Sequence, residues 1–330
     1  ESNQTYVSWS FRKAPGFFDV VRYTGNGVAG RTVAHNLGSV PGMIWVKRTN
    51  SATDWMVYHR SIGATKYLKL NDPIEASTSI ARWNNTEPTS SVFSTHVQNN
   101  ASNGEYIAYI FAHDDAQFGT GGDESIIKCG SYTGTGSEQF IDLGFEPQFL
   151  LIKRSNGEAD WKIFDNMRGW GAGAQVRLYA NTTDDEETSS GDLTITSTGF
   201  REPGTSSAVT NIYMAIRRPN KPPSAATEVF QTLTYSASNG DITRSTNILV
   251  DMLFSQRTNG GRPYAIDRLR SPIKYVALSN NNAEGEQTTG FKEFGNNYIK
   301  MGAGAVANYT GNTYLLSMFK RAPGFFDVVA

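Results

Sequence analysis

Four histidines could serve acid–base or metal chemistry, and all four (His35, His59, His96 and His113) fall in the first third of the chain. None stands beside a second ligand at zinc spacing. His59 aligns with Asp165 further along, so the position does not demand an imidazole, and a packing or surface role is the expectation for all four. Cys129 is the single cysteine, between Lys128 and Gly130 in a strand-like run. No motif supplies the base and exposed turn that a nucleophile needs. It reads as a small buried apolar residue, and an intrachain disulfide is ruled out. Carboxylates gather at Asp114-Asp115, Asp123-Glu124 and Asp184-Asp185-Glu186-Glu187. Such oxygens can hold Ca²⁺, but EF-hand spacing is missing and solvated acidic loops are expected. There is no G-x-S-x-G and no P-loop. The sequence therefore nominates no catalytic residue, no metal set and no cofactor.

The aromatic residues offer a different chemistry, stacking on sugar rings. Trp55 and Trp161 each follow an aspartate at equivalent positions, as core residues of a repeated unit would. Trp83 and Trp170 do not recur and lie in irregular stretches, Ala81-Arg82-Trp83-Asn84-Asn85 and Gly169-Trp170-Gly171. They are the exposed glycan-stacking candidates. The pairs Lys47-Arg48 and Lys153-Arg154, with Gln256-Arg257, end a central strand. They are expected to be solvated and bonded to turn carbonyls, with Asp54 and Asp160 placed to pair with the arginines across a hairpin.

The elements that would carry these residues are strands. Met43-Ile44-Trp45-Val46 and 54–59 flank a polar turn, and 148–154 and 160–165 repeat the arrangement. The spacing of Lys-Arg to Asp-Trp is kept, which aligns the two stretches. A third stretch, 248–257 with 264–267, follows the same plan without the Asp-Trp pair. The eight residues Ala14-Pro15-Gly16-Phe17-Phe18-Asp19-Val20-Val21 return as Ala322-Pro323-Gly324-Phe325-Phe326-Asp327-Val328-Val329. That identity marks the junction of a tandem unit of roughly 100 residues, the size of a β-sandwich domain.

The fold expected is all-β, three tandem β-sandwich (jelly-roll-like) repeats at 14–118, 119–221 and 222–321. Residues 1–13 read as a detached last strand, or one exchanged with a neighbouring copy, and 322–330 as a first strand. A Pro-rich linker is expected at 219–224. A chain that starts at Glu1 and breaks off inside a strand-like run is expected to be a piece of a longer polypeptide, first of all of a longer array, or a processed product.

Composition narrows the function classes. Lys and Arg total 30 against 31 Asp and Glu, too balanced for a sheath on nucleic acid. No apolar run approaches the ~20 residues that span a bilayer, and no signal peptide is visible, so no membrane insertion is expected. Abundant Gly (32), Ser, Thr and Asn suit the turns of an all-β chain.

The pattern Tyr-Thr-Gly-x-Gly, Lys-Arg, Asp-Trp and a final apolar-Ala pair resembles the repeated modules of marine, cyanophage-like bacteriophage tail-fibre and appendage proteins. It is carried by Tyr23 to Gly27, Lys47-Arg48, Asp54-Trp55 and Ile107-Ala108, then by Tyr132 to Gly136, Lys153-Arg154, Asp160-Trp161 and Met214-Ala215. The third stretch departs from it. The resemblance implies a non-enzymatic virion protein, located in the particle and touching the host surface. Its partners would be other virion proteins, copies of itself (a homotrimer among them) and a host-surface glycan. The alternative is a carbohydrate-binding adhesin that uses Trp83 and Trp170. A depolymerase is the least favoured reading.

Overall fold

The computed structural model describes residues 6–119, 121–168, 170, 175–189, 191–204, 207–219, 223–238 and 240–328. The expected linker at 219–224 and the glycines flanking Trp170 lie partly or wholly outside them. The first stretch carries β1 (Phe18–Thr24), β2 (Arg31–Ala34), β3 (Met43–Arg48), β4 (Met56–His59), β5 (Lys66–Lys69), β6 (Ser77–Thr78), a one-turn helix α1 (Ile80–Trp83), β7 (Val92–Thr95) and β8 (Glu105–Phe111). The second carries β9 (Ile127–Thr135), β10 (Gln139–Asp142), β11 (Pro147–Arg154), β12 (Lys162–Asp165), β13 (Gln175–Tyr179), β14 (Glu187–Ser189), β15 (Thr194–Ile195), β16 (Gly199–Glu202) and β17 (Ser207–Arg217). The third carries β18 (Phe230–Ser236), β19 (Ile242–Ser245), β20 (Met252–Arg257), β21 (Tyr264–Asp267), β22 (Lys274–Ala277), β23 (Gly285–Glu286), β24 (Phe291–Phe294), β25 (Tyr298–Met301) and β26 (Thr313–Phe319).

Each stretch forms one six-stranded antiparallel sheet, ordered β1-β8-β3-β4-β5-β6, β9-β17-β11-β12-β13-β14 and β18-β26-β20-β21-β22-β23. The order is the same each time: first strand, last strand, central strand, then a meander. A smaller sheet completes each sandwich: β2-β7, β10-β16-β15 and β19-β25-β24. The chain is therefore all-β. Each large sheet buries one face against its small sheet, which gives strands such as β8 and β26 their alternating burial.

The repeated octapeptide makes the same turn twice. The amides of Phe17 and Phe18 donate to the Ala14 carbonyl, and those of Phe325 and Phe326 to Ala322. Gly16 and Gly324 hold φ of 71° and 72°, where a Cβ would be strained. Across the turn the Phe11 and Phe18 rings lie 5.5 Å apart, and Phe319 and Phe326 5.6 Å.

The cores divide unevenly. The second sandwich has its own interior of Ile141, Leu150, Phe164, Trp170, Ile195, Phe200 and Tyr213, and the third has Leu253, Ile266, Phe291, Ile299, Leu316 and Met318. A further cluster runs from the first sandwich into the second. It joins Met43, Val57 and Leu68 to Cys129, Phe149, Leu151, Trp161, Ile163 and Met214. The second and third units meet instead through buried charge. Arg218 Nη1 and Nη2 bind the Asp251 carboxylate at 2.7 and 3.0 Å, Arg268 Nη2 binds it at 2.8 Å, and Arg218, Arg268 and Arg321 all reach Glu146. Burial alone would raise the Asp251 carboxyl, but the two guanidiniums outweigh it and hold it well below the usual carboxylate range. Removing one member of such a group leaves an uncompensated charge in low dielectric. Asp251→Asn is expected to lower the stability of the third unit by about 3–5 kcal/mol. Urea unfolding followed by hydrogen exchange in β20 and β26 would read it.

Candidate functional site

Residues on one face of an antiparallel sheet line up across strands at period two. On the face turned away from the small sheet, one row of the first sheet reads Val20, Tyr109, Trp45, Val57 and Leu68. The corresponding row of the second reads Cys129, Met214, Leu151, Ile163 and Leu178. That of the third reads Thr232, Ser317, Phe254, Ala265 and Val276. The outer row is thus apolar in the first two sheets and mixed in the third.

In the second sheet this row is covered by the first unit, which accounts for the unbroken apolar run Phe149-Leu150-Leu151-Ile152 in β11. The contact carries specific hydrogen bonds. Trp161 Nε1 donates to the Lys69 carbonyl at 2.8 Å, Lys153 Nζ donates to Pro73 and Arg154 carbonyls at 2.8 Å, and the amides of Ala76 and Ala159 bond Ser155 and Pro73. Lys153 is therefore buried rather than the solvated strand end its sequence suggested, and burial pushes its ammonium down to about 8. Lys47 does bond a turn carbonyl, that of Thr53. Asp54 and Asp160 bind the amides of Asn71 and Asn181 at 3.0 and 2.7 Å, rather than the neighbouring arginines expected. The same asparagines accept from the Trp55 and Trp161 backbone amides at 2.8 Å, so each aspartate positions the asparagine that holds the next residue of the chain.

His59 sits in the same contact and is fully buried. Asp165 and Asp267, its counterparts, accept backbone amides of the following turn and are bound by Arg168 and Arg270. His59 keeps the first task, Nδ1 accepting from the Ser61 amide at 3.2 Å. That leaves Nε2–H to donate to the Tyr213 carbonyl of the second unit at 3.1 Å. A carboxylate here would face that carbonyl with no proton between them. Burial holds the imidazole at about 4.

The first sheet's own outer row is only half covered. Val57 and Leu68 are buried, but Val20, Tyr109 and Trp45 are partly open. With Phe11, Phe18, Trp55, Leu70 and Phe111 they line an almost wholly apolar groove of about 440 Å³. The Trp55 and Tyr109 rings lie 6.0 Å apart and near parallel at 26°, and Lys47 Nζ stands 5.8 Å over Trp55. The Trp45 indole N–H is buried without a hydrogen-bond partner.

The two tryptophans nominated for glycan stacking are not available for it. Trp83 is 2% and Trp170 1% exposed. Ser79 caps α1 and Asn84 closes it in the left-handed region, which folds the expected irregular stretch into a turn that plants Trp83 against Tyr58. Trp170 packs on Phe164 and donates Nε1 to the Leu193 carbonyl at 2.8 Å. Neither recurs because each fills the interior of one sandwich. The groove went unremarked in the sequence, yet its signal was there: Val20, Trp45 and Tyr109 are large apolar residues on strands whose opposite face is apolar too.

Cys129 and His113 meet beside the joint between the first two units. Burial raises the Cys129 thiol, whose Sγ lies 3.5 Å from the Ala112 carbonyl. Its backbone amide donates to His113 Nδ1 at 3.1 Å. Among the described residues no group of three or more His, Cys, Asp or Glu is placed to hold a metal ion.

The chain belongs to the family described as a domain of unknown function, DUF7483, whose model matches residues 1–218. The match covers the two units that share a core and stops beside the end of β17. No curated protein and no solved structure matches the chain.

Two measurements follow. Unfolded His59 binds a proton below pH ~6.5, whereas folded His59 stays neutral down to about 4. Its contribution is thus present above pH ~6.5 and is lost as pH falls through that window; the slope of stability against pH should flatten in His59→Gln, and His59→Asp should cost about 3–5 kcal/mol at pH 7. Trp83→Ala and Trp170→Ala should each lower stability by about 3–5 kcal/mol, the cost of emptying a core site. Thermal unfolding distinguishes this from the unchanged melting that an exposed platform would give.

Proposed function

We propose that this chain is a non-enzymatic structural segment of a phage particle, part of a tail fibre or similar appendage, whose work is spacing and contact. The observation that carries the reading is that the outer face of a sheet serves as the joint to the next unit. Lys153, Trp161 and Tyr213 of the second unit are held to Pro73, Lys69 and His59 of the first. The resemblance to appendage modules and the repeated junction turn add support. The adhesin alternative has lost its two nominated side chains to the core, and the open groove is almost wholly apolar, with few groups to bond a sugar's hydroxyls. Peptide mass spectrometry and antibody-labelled electron microscopy of purified particles provide the test. The chain should be found in fixed copy number on an external appendage. Its absence from purified particles would overturn the reading, and binding of the isolated chain to a glycan array without any presence in particles would favour the adhesin alternative.

A further inference from the structure

We infer that the apolar groove of the first unit is a docking site for a second copy of this chain, which enters it with the outer face of its third unit. The groove continues an interface that already exists. Phe11 on its rim packs on Phe111 and also on Phe149 of the second unit, at 5.7 and 6.3 Å between rings. The equivalent row of the second sheet shows what such a face accepts. Cys129, Met214 and Leu151 are completely covered, and what covers them is a unit of the same kind. The first unit's Val20, Tyr109 and Trp45 present that surface without the cover.

The lining chooses the class of occupant. The groove's exposed lining is almost wholly apolar, with the Trp45 N–H buried and only the Lys47 ammonium over Trp55 and the Tyr109 side chain bringing polar atoms near, too few convergent groups to fix a sugar or a nucleotide. Side chains from another protein surface fit the groove.

The same chain carries a matching surface. On the third sheet Phe230 is 38% exposed and stands 5.0 Å from Phe319, which touches Phe254 and Phe326 at 5.6 Å each; Phe325 is 44% exposed beside Phe326. This string of rings is long enough to form the central anchor of an interface. Thr232 and Ser317 beside it supply a polar border. The groove and the rings are different surfaces on different units. The contact is therefore heterologous, and it propagates from copy to copy or closes into a ring rather than stopping at a pair.

This inference rests on the geometry of the two faces and not on the virion reading; failure of either leaves the other standing. The test is sedimentation velocity of the full chain over a wide concentration range. The wild type should associate beyond a dimer. Trp55→Glu, which spoils the groove, and Phe230→Glu, which spoils the rings, should each weaken association by roughly thirtyfold or more, as loss of an anchor does. Mixed in equal amounts the two variants should form a one-to-one dimer that goes no further, because each retains one intact face. A misfolded variant could not complement in this way, and Phe254→Gln gives a milder break of the second face. A wild type that stays monomeric throughout, or variants that fail to complement, would overturn the inference.

Discussion

The second sheet is apolar on both faces, and most of the architecture follows from that. A sheet of this kind cannot end in water on one side. Leu150, Ile152, Phe164, Tyr213 and Ala215 fill their own sandwich, while Phe149, Leu151, Ile163 and Met214 need a cover from elsewhere. At roughly 25 cal/mol per Å² of apolar surface removed from water, that second face is a large share of the unit's stability. The first unit supplies the cover. The polar groups along the contact are arranged so that each buried donor meets a carbonyl: His59 to Tyr213, Trp161 to Lys69, Lys153 to Pro73. The histidine at position 59, where the other two units have Asp165 and Asp267, belongs to the same constraint, since a neutral ring accepts from its own turn and donates across the joint whereas a carboxylate only accepts.

The joint to the third unit obeys a different rule. It is built from Glu146, Asp251, Arg218, Arg268 and Arg321, charges that stabilise little by being buried but a great deal by being complete. Such a joint fixes an orientation without a shared apolar core. The third sheet's outer row is correspondingly small or polar at Thr232, Ser317 and Ala265, with Phe254 at its centre and Phe230 and Phe319 in the next row. The family match also separates the chain here, covering the first two units and ending at Arg218.

Period-two alternation, the Gly-rich turns and the repeated octapeptide made the strands and their class readable in the sequence. The run from Phe149 to Ile152, read only as one strand of a hairpin, breaks the alternation because both faces of its sheet are buried. What could not be read was which neighbour covers what. Trp55 and Trp161 occupy the same place after the same aspartate, yet Trp161 is buried under the first unit while Trp55 lines an open groove. Nothing local distinguishes them. Trp83 and Trp170 looked like loop residues for the opposite reason: a single helical turn and a connection carry them inward, and such short devices leave little periodicity to detect.

Native-state hydrogen exchange along the whole chain tests the shared core most directly. If β9, β11 and β17 depend on the first unit for one of their faces, their slowest amides should exchange with the same opening free energy as those of β4 and β5, and respond together to urea. The slowest amides of β20 and β26 should open at a separate value. Distinct opening free energies for β4–β5 and β11–β17 would mean that the two faces are not held as one core.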